Sequence, residues 1–208
     1  MSKLTVNPTR MELLRLKRKL KTAERGYKLL KDKRDGLMKE FMLIIRKSKN
    51  YRKDTEEKIK KALLSFVFAA SLTEPEFIEE ALALPTQKIK LEAKTKNVMG
   101  VRIPQFEYQE EGELLCYSLA STPSDLDESL LILSEVLKEA VKLAEIEHSA
   151  RLLAQEIEKT RRRVNALEYV FIPNIKETIK YIEAKLTEQE RGVIITLMKV
   201  KEKISASG

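Results

Sequence analysis

The 208-residue sequence contains one cysteine, one histidine and no tryptophan. Because Cys116 is its only thiol, no disulfide can form within the chain, which fits a reducing compartment. Because His148 is its only imidazole, metal sites that need several histidines are excluded. Glycine-rich phosphate-binding loops and nucleophile motifs of the common hydrolases are also missing. We therefore expect a protein that is not an enzyme and that needs no cofactor.

Long apolar runs are absent as well. The longest uncharged run, residues 62–73, is too short to cross a bilayer, and the N-terminus has no basic-then-apolar signal peptide. We expect a soluble, cytoplasmic protein that reaches a membrane only through its partners.

Charge is abundant and unevenly placed. Charged residues make up 35% of the chain, which is typical of long helices and coiled coils rather than of a thick globular core. The net charge is +8, and residues 1–34 hold 12 Lys or Arg against three acids, so the rest of the chain is nearly neutral. This basic segment predicts an acidic partner surface, for which nucleic acid and anionic lipid are the usual candidates. The alternative interpretation is a solvated helix face.

A long first helix is predicted from Asn7, which can cap the free N–H groups, and Pro8, which suits the first helical position. Apolar residues then recur in alternating steps of three and four as far as Tyr51, which indicates a heptad seam. Beyond Tyr51 the pattern weakens through the charged residues 53–61, and an apolar block resumes at Ala62. The helix continues to about Leu72, roughly 100 Å at 1.5 Å per residue. The main residues of this first seam are Leu13, Leu16, Leu20, Leu30, Leu37, Phe41 and Ile44.

The middle of the chain has a different period. Residues 73–76 form a capping-box pattern that predicts a short helix ending before Pro85. Alternating apolar residues follow and predict a β-hairpin that turns near Lys96 and Asn97, and residues 114–119 are a third candidate strand.

A second long helix is predicted over about residues 124–204, with a kink at Pro173 and a shift of heptad phase beyond it. Two long helices with single seams cover each other by folding back within one chain. We therefore predict a mainly α fold, a long antiparallel two-helix coiled coil with a small β-hairpin insert. Its parts are the first long helix (1–72), the short helix with the hairpin (73–122) and the second long helix (123–208), and together they form one structural unit. The main residues of the second seam are Leu153, Ile157, Val164, Leu167, Phe171, Ile182 and Leu186.

Four stretches carry a resemblance that covers essentially the whole chain. Residues 7–11 (NPTRM), 29–35 (LLKDKRD), 98–101 (VMGV) and 158–168 (EKTRRRVNALE), the last followed by Ile172 and Pro173, closely resemble the D subunit of the V/A-type rotary ATPases. The resemblance implies a central rotor shaft whose helix ends insert into a ring of catalytic and regulatory subunits. It also implies binding to the F subunit, which is the small partner in the stalk, and to a socket subunit above the membrane ring, while ATP chemistry stays with the ring.

The resemblance also suggests which residues meet these partners. Contact with the ring wall is implied for Arg10, Arg15, Lys17, Arg18, Lys21, Arg191, Lys199 and Lys201. Contact with the stalk partners is implied for Arg161, Arg162, Arg163, Val98 and Val101. For the arginines, pairing within the helix, as between Glu158 and Arg162, is the alternative.

One further function stays open at this point. A free-standing coiled-coil scaffold could bind nucleic acid or a membrane through the basic N-terminal segment. The cations of that segment spread around the helix, so they favour a general electrostatic surface over sequence-specific readout of nucleic acid. The predicted β insert and the stretch 161–168 favour the rotor shaft.

Overall fold

The computed structural model describes residues 6–72, 74–83, 86–114 and 124–206. Within these ranges the helices are α1 (Arg10–Leu72), α2 (Pro75–Leu82), α3 (Ser124–Ala166) and α4 (Ile172–Ala206). A π-helical turn, Leu167–Phe171, joins α3 to α4, and strands β1 (Lys88–Val98) and β2 (Val101–Glu111) form an antiparallel pair. The predicted fold class, mainly α with long helices and a β-hairpin insert, is confirmed. Among the described residues, no helix has an apolar stretch long enough to span a bilayer.

The start of α1 differs from the prediction. The helix begins at Arg10, and the hydroxyl of Thr9 accepts a hydrogen bond from the backbone N–H of Glu12 at 3.3 Å. Thr9 is therefore the capping residue, two positions after the predicted Asn7, and Pro8 precedes the helix. The helix begins later than predicted because the Thr9 hydroxyl can accept a hydrogen bond from the free backbone N–H of Glu12, three residues later.

The chain divides into two compact units. The first combines Met1–Asp35 with Glu158–Gly208, and the second is Gly36–Ile157. The core of the first unit contains Leu16 of α1 together with Ile175, Ile179 and Ile182 of α4. Leu13, Leu20 and Leu186 pack against this cluster from its edges.

The core of the second unit joins α1, α3 and the hairpin. Leu37, Leu153 and Ile157 are buried together with Val101 of β2, and Ile103 packs against them. Farther along α1 the buried residues are small: Thr55, Ala62 and Ala69 follow at intervals of seven. The heptad pattern of α1 therefore continues past Tyr51, where the sequence predicted weakening, because small side chains serve at these positions.

The hairpin turns at Met99 and Gly100, which have φ angles of 51° and 87°. Positive φ at both central residues is typical of the tight two-residue turns that match strand twist. The backbone N–H of Gly100 donates to Oδ1 of Asn97 at 2.9 Å, and the strand register runs up to Val98 opposite Val101. The predicted turn at Lys96 and Asn97 is therefore wrong by about two residues, because both residues pair within β1.

Helix α2 begins at Pro75, as the capping-box pattern predicted, although its capping residue Glu74 makes no side-chain hydrogen bond. Thr73, the predicted first residue of that box, lies outside the described residues, as do Cys116 and almost all of the third candidate strand, residues 114–119.

Candidate functional site

Three ion pairs connect α1 to α4 in the first unit. Arg10 pairs with Glu190 at 2.6 Å, and Lys17 pairs with Glu183 at 2.7 Å. Glu24 pairs with Lys176 at 3.0 Å. Each step moves seven residues forward on α1 and seven back on α4, so these pairs, here called the ion-pair ladder, define an antiparallel register with heptad spacing.

The predicted seam residues differ in how deeply they are covered. One group is buried: Leu16, Leu37, Leu153, Ile157, Val164 and Ile182. A second group is half-buried: Leu13, Leu20, Leu30, Phe41, Ile44, Leu167 and Leu186.

Phe171 is the exception, since 47% of it is exposed. A seam that continued regularly from Val164 would bury Phe171 seven residues later, but Ile175 is buried in its place, at 1% exposure. The π turn inserts one extra residue between these positions, because a π turn is wider than an α turn. The predicted shift of phase near Pro173 is thus present, and as a result Phe171 leaves the seam.

All eight predicted ring-contact residues lie on the surface of the first unit: Arg10, Arg15, Lys17, Arg18, Lys21, Arg191, Lys199 and Lys201. Arg10 and Lys17 belong to the ion-pair ladder. Arg15 lies 3.5 Å from Glu12, and Arg191 lies 3.9 Å from Glu188. Within the described part of the chain, the other four have no carboxylate at ion-pair distance.

The predicted stalk-partner residues fall into two environments. Arg161, Arg162 and Arg163 are exposed, and the guanidinium of Arg162 donates to the carboxylate of Glu158 one helical turn earlier. Val98 is half-buried, whereas Val101 is only 9% exposed and packs on Leu37 and Leu153. The hairpin turns the Val101 side chain into its own core, so Val98 is the more accessible of the two valines, and contact of Val101 with a stalk partner stays a prediction.

The last part of α4, residues 191–206, is a surface that the seam analysis missed and is here called the α4 end segment. Beyond the Arg10–Glu190 pair, the described residues up to 205 are all exposed. Val193 and Leu197, which the shifted heptad pattern places in the seam, are 59% and 63% exposed. The signal was in the sequence, since apolar residues occur here in adjacent positions as well as in steps of three and four, which is more than a single seam needs. The exposed large apolar residues are Val193, Ile194, Ile195, Leu197, Met198, Val200 and Ile204.

Titratable groups fasten the hairpin to α3 in the second unit. Nζ of Lys138 lies 2.8 Å from a carboxylate oxygen of Glu110, and this hydrogen bond lowers the pKa of Glu110. Burial, reinforced by the Glu110 carboxylate beside it, raises the pKa of Tyr108 to about 12. Glu145 of α3 also accepts a hydrogen bond from the backbone N–H of Phe106 at 2.9 Å. These contacts hold the outer edge of β2 against α3.

In the first unit, burial likewise raises the pKa of Tyr27, and the nearby Glu168 carboxylate raises it further. Tyr27 belongs to α1 and Glu168 to the π turn, so this pair of polar side chains connects α1 to the π turn.

Comparison with known proteins gives a consistent result along nearly the full length. A family model described as the D subunit of ATP synthase matches residues 12–202. The chain is 52% identical over 206 residues to the V-type ATP synthase D subunit of Acetivibrio thermocellus, covering 97% of this chain and 93% of the relative. It is 48% identical over 206 residues to the protein of that name from Clostridium novyi, covering 97% and 95%. The counterpart from Fusobacterium nucleatum is 47% identical over 205 residues, with 97% of each chain covered.

Proposed function

The chain belongs to the family of ATP synthase D subunits, and on that premise we propose that it is the central rotor shaft of a V/A-type ion-translocating ATPase. In this role it transmits torque between a ring of catalytic and regulatory subunits and an ion-translocating ring in the membrane. It binds the F subunit of the stalk and a socket subunit, and these partners hold it at the cytoplasmic side of the membrane. ATP is made or hydrolysed by the ring subunits, so the shaft itself is not catalytic.

The observation that carries this proposal is the α4 end segment. At about 100° per residue, its seven exposed apolar side chains cover more than half of the helix circumference. A helix that is apolar over so much of its surface needs to be enclosed by other protein. The bore of a ring supplies such an enclosure, and it favours a smooth apolar plug that can turn, because apolar contacts are not directional.

The ion-pair ladder supports the mechanical part of the proposal. Its rungs join α1 to α4 at three levels along a helix pair whose core contains Leu16 and Ile179. A twisting force applied to one helix is therefore passed to the other through both ionic and apolar contacts. Torque transmission needs this kind of coupling, since two helices that slid past each other would not act as one shaft.

The cations outside the ladder support contact with acidic partner surfaces. Arg18, Lys21, Lys199 and Lys201 are exposed and have no carboxylate at ion-pair distance in the described part of the chain. We propose these residues, with Arg15 and Arg191, for the ring wall. Arg161 and Arg163, together with the half-buried Val98, are proposed for the stalk partners.

The test is a single-molecule rotation assay on the assembled complex. The ring is immobilised and a bead is attached to the hairpin through a biotinylated cysteine introduced at Gln105, with Cys116 replaced by serine. We expect the bead to rotate when ATP is added, and a complex without this chain should show no ATP-driven ion transport. A bead that stays fixed while the ring turns over ATP, or transport that persists without the chain, would contradict the proposal.

A further inference from the structure

Strand β1 has an open outer side. Its eleven residues, Lys88–Val98, pair with β2 on one side only, because the sheet has two strands within the described residues. All of its residues from 88 to 97 are exposed. An edge strand with unpaired backbone groups is a template on which a further strand can pair.

The strand register shows which backbone groups of β1 face outward. Val98 lies opposite Val101 across a two-residue turn, so these two residues form a hydrogen-bonded pair. Hydrogen-bonded positions alternate along an antiparallel pair with positions whose N–H and C=O groups point away from the partner strand. Within the described part of the chain, no group pairs with the outward backbone groups of β1. The outward positions are Ile89, Leu91, Ala93, Thr95 and Asn97.

The outer edge of β2 is closed. Pro104 occupies an outward position on this strand and has no N–H to donate. The next outward N–H, that of Phe106, donates to the carboxylate of Glu145 in α3 at 2.9 Å. Strand β1 has no proline and no residue with positive φ. The hairpin therefore leaves the edge of β1 as the one suited to strand addition.

One face of β1 is basic. Lys90 pairs with Glu111 of β2 at 2.7 Å. Lys94 pairs with Glu107 of β2 at 2.6 Å. The lysines at the two ends of this face have no carboxylate at ion-pair distance among the residues that the structure describes. The charged residues of the face, in order, are Lys88, Lys90, Glu92, Lys94 and Lys96.

The other face of β1 is apolar and uncovered. Ile89 is 46% exposed and Leu91 is 51% exposed, and Ala93 follows on the same face. A strand that pairs with β1 places its side chains alternately beside the basic face and beside this apolar face, because successive side chains point to opposite sides of a sheet. The complementary sequence therefore alternates acidic with apolar residues.

We propose that the outer edge of β1 binds an extended segment of a partner protein in which acidic and apolar residues alternate. Backbone hydrogen bonds to Leu91, Ala93 and Thr95 hold this segment, and its carboxylates lie beside Lys88 and Lys96. A second copy of β1 is disfavoured as the added strand, because it would bring lysines against lysines. The proposal uses β1 alone and does not depend on the rotor function.

The first experiment measures amide hydrogen exchange by NMR on the full chain. The probe is a nonapeptide with blocked ends in which glutamate and valine alternate. At saturating peptide, exchange at Leu91, Ala93 and Thr95 should slow by about tenfold or more, because these amides gain acceptors. Amides that already pair with β2, such as that of Glu92, should change less. A peptide that alternates lysine with valine is the control and should give no protection.

The second experiment removes one outward donor. Ala93→Pro deletes an N–H that β2 does not use, as Pro104 does on the other strand, and should weaken binding of the glutamate–valine peptide by about tenfold. The matched control is Ala93→Thr, which keeps the N–H and should bind like the parent. Amide signals of β2 confirm that the hairpin is intact in both variants.

A third experiment leaves the backbone unchanged. Lys88→Glu combined with Lys96→Glu should also weaken binding of the peptide by about tenfold or more, because two attractive contacts become repulsive. Lys28→Glu combined with Lys31→Glu makes the same change of charge on exposed residues of α1 and should have no effect.

Crosslinking in cells identifies the natural occupant. Benzoylphenylalanine replaces Leu91 or, as the control, Leu29, which is 70% exposed on α1. We expect the Leu91 position alone to crosslink to a segment with alternating acidic and apolar residues, as mapped by peptide mass spectrometry.

Several results would overturn the proposal. If the lysines only keep the edge unpaired, neither peptide will protect the outward amides of β1. Protection that appears without peptide and grows with protein concentration would show pairing between two copies of the chain. Equal binding of the two peptides, or a Leu91 crosslink to a segment without alternating acids, would contradict the proposed occupant.

Discussion

A Cβ atom on Gly36 would stand 2.5 Å from the terminal methyl carbon of Met99 and 3.1 Å from its sulfur. Gly36 lies in the middle of α1, and Met99 is the first turn residue of the hairpin. A glycine inside a helix costs about 1 kcal/mol relative to alanine, so this position has a reason beyond helix formation. The reason is the room that it leaves for the Met99 side chain, which fastens the hairpin turn to α1.

We predict that Gly36→Ala stabilises the protein less than Gly26→Ala. Both substitutions gain helix propensity, about 1 kcal/mol each, but a Cβ at Gly26 meets nothing within 4 Å while the one at Gly36 displaces Met99. Because a methionine side chain is flexible, the net change at Gly36 should be close to zero. In a Met99→Ala background, Gly36→Ala should recover the full gain. Denaturant unfolding measures these differences in the free energy of unfolding. Equal gains at Gly26 and Gly36 in the parent protein would show that contact with Met99 does not affect stability.

We predict that Lys17→Glu lowers the melting temperature and that adding Glu183→Lys restores it. The pair is exposed, so its loss should cost up to about 1 kcal/mol, plus the repulsion from Glu183. Raising the salt concentration should shrink the difference, because the charges are screened. The control is Lys21→Glu, an exposed lysine outside the ladder. A swapped double variant that melts no higher than Lys17→Glu alone would argue against the ladder.

Deletion of Tyr169 should be tolerated. It removes one residue from the π turn and leaves a regular α-helix in which Val164, the former Phe171 position and the α4 seam follow in unbroken steps of three and four. The control, deletion of the exposed Lys180, moves Ile182 and Leu186 out of phase with Ile175 and Ile179. We expect helix content and melting temperature to change little in the first variant, and the second to melt lower by about 3 °C or more. If both deletions destabilise equally, the π turn is not the extra residue that we infer.

We predict that alkaline pH lowers the stability of the protein through Tyr108. Its ordinary pKa is 10.0 and its folded pKa is about 12, because burial disfavours the phenolate. Above pH 10 the unfolded chain loses this proton while the folded chain keeps it, so stability falls from about pH 10 to about pH 12. Tyr108→Phe should show a smaller fall than the parent protein over this range, whereas Tyr169→Phe, at an exposed position, should behave like the parent. The measurement is denaturant unfolding at several pH values, and parallel curves for all three proteins would rule out a buried phenol.

On the proposed function, Leu197→Asp should impair assembly of the chain with the catalytic ring. It places a charge in the apolar part of the α4 end segment, where enclosure by the ring would remove it from water. Thr196→Asp puts the same charge on the adjacent residue and on a polar side of the helix, and should be better tolerated. Neither change affects a buried residue of this chain, so both variants should melt like the parent. Assembly is measured by gel filtration of the mixed subunits, and equal assembly of the two variants would contradict an enclosed end segment.

The sequence by itself determined the fold class and the family. Apolar residues in steps of three and four indicate the helical period, and proline and glycine mark the ends of helices and strands. Both signals depend only on residues close together in the sequence, so they can be recognised without the structure. The phase shift near Pro173 was visible in the same way, since Ile175, Ile179 and Ile182 are out of step with Val164. The resemblance to the D subunits of rotary ATPases rests on stretches of consecutive residues and needs no tertiary structure.

Only the tertiary structure decided how these features are used. Helical periodicity leaves open whether an apolar residue is covered, so it placed Phe171 and Leu197 in a seam that does not cover them. The resemblance implied contact of Val101 with a stalk partner, and only the structure shows that this side chain packs on Leu37 in the core. The ion-pair ladder and the Gly36–Met99 contact join residues far apart in sequence, which no local pattern encodes. They depend on the register between elements, and register is set by the sum of many contacts across the fold.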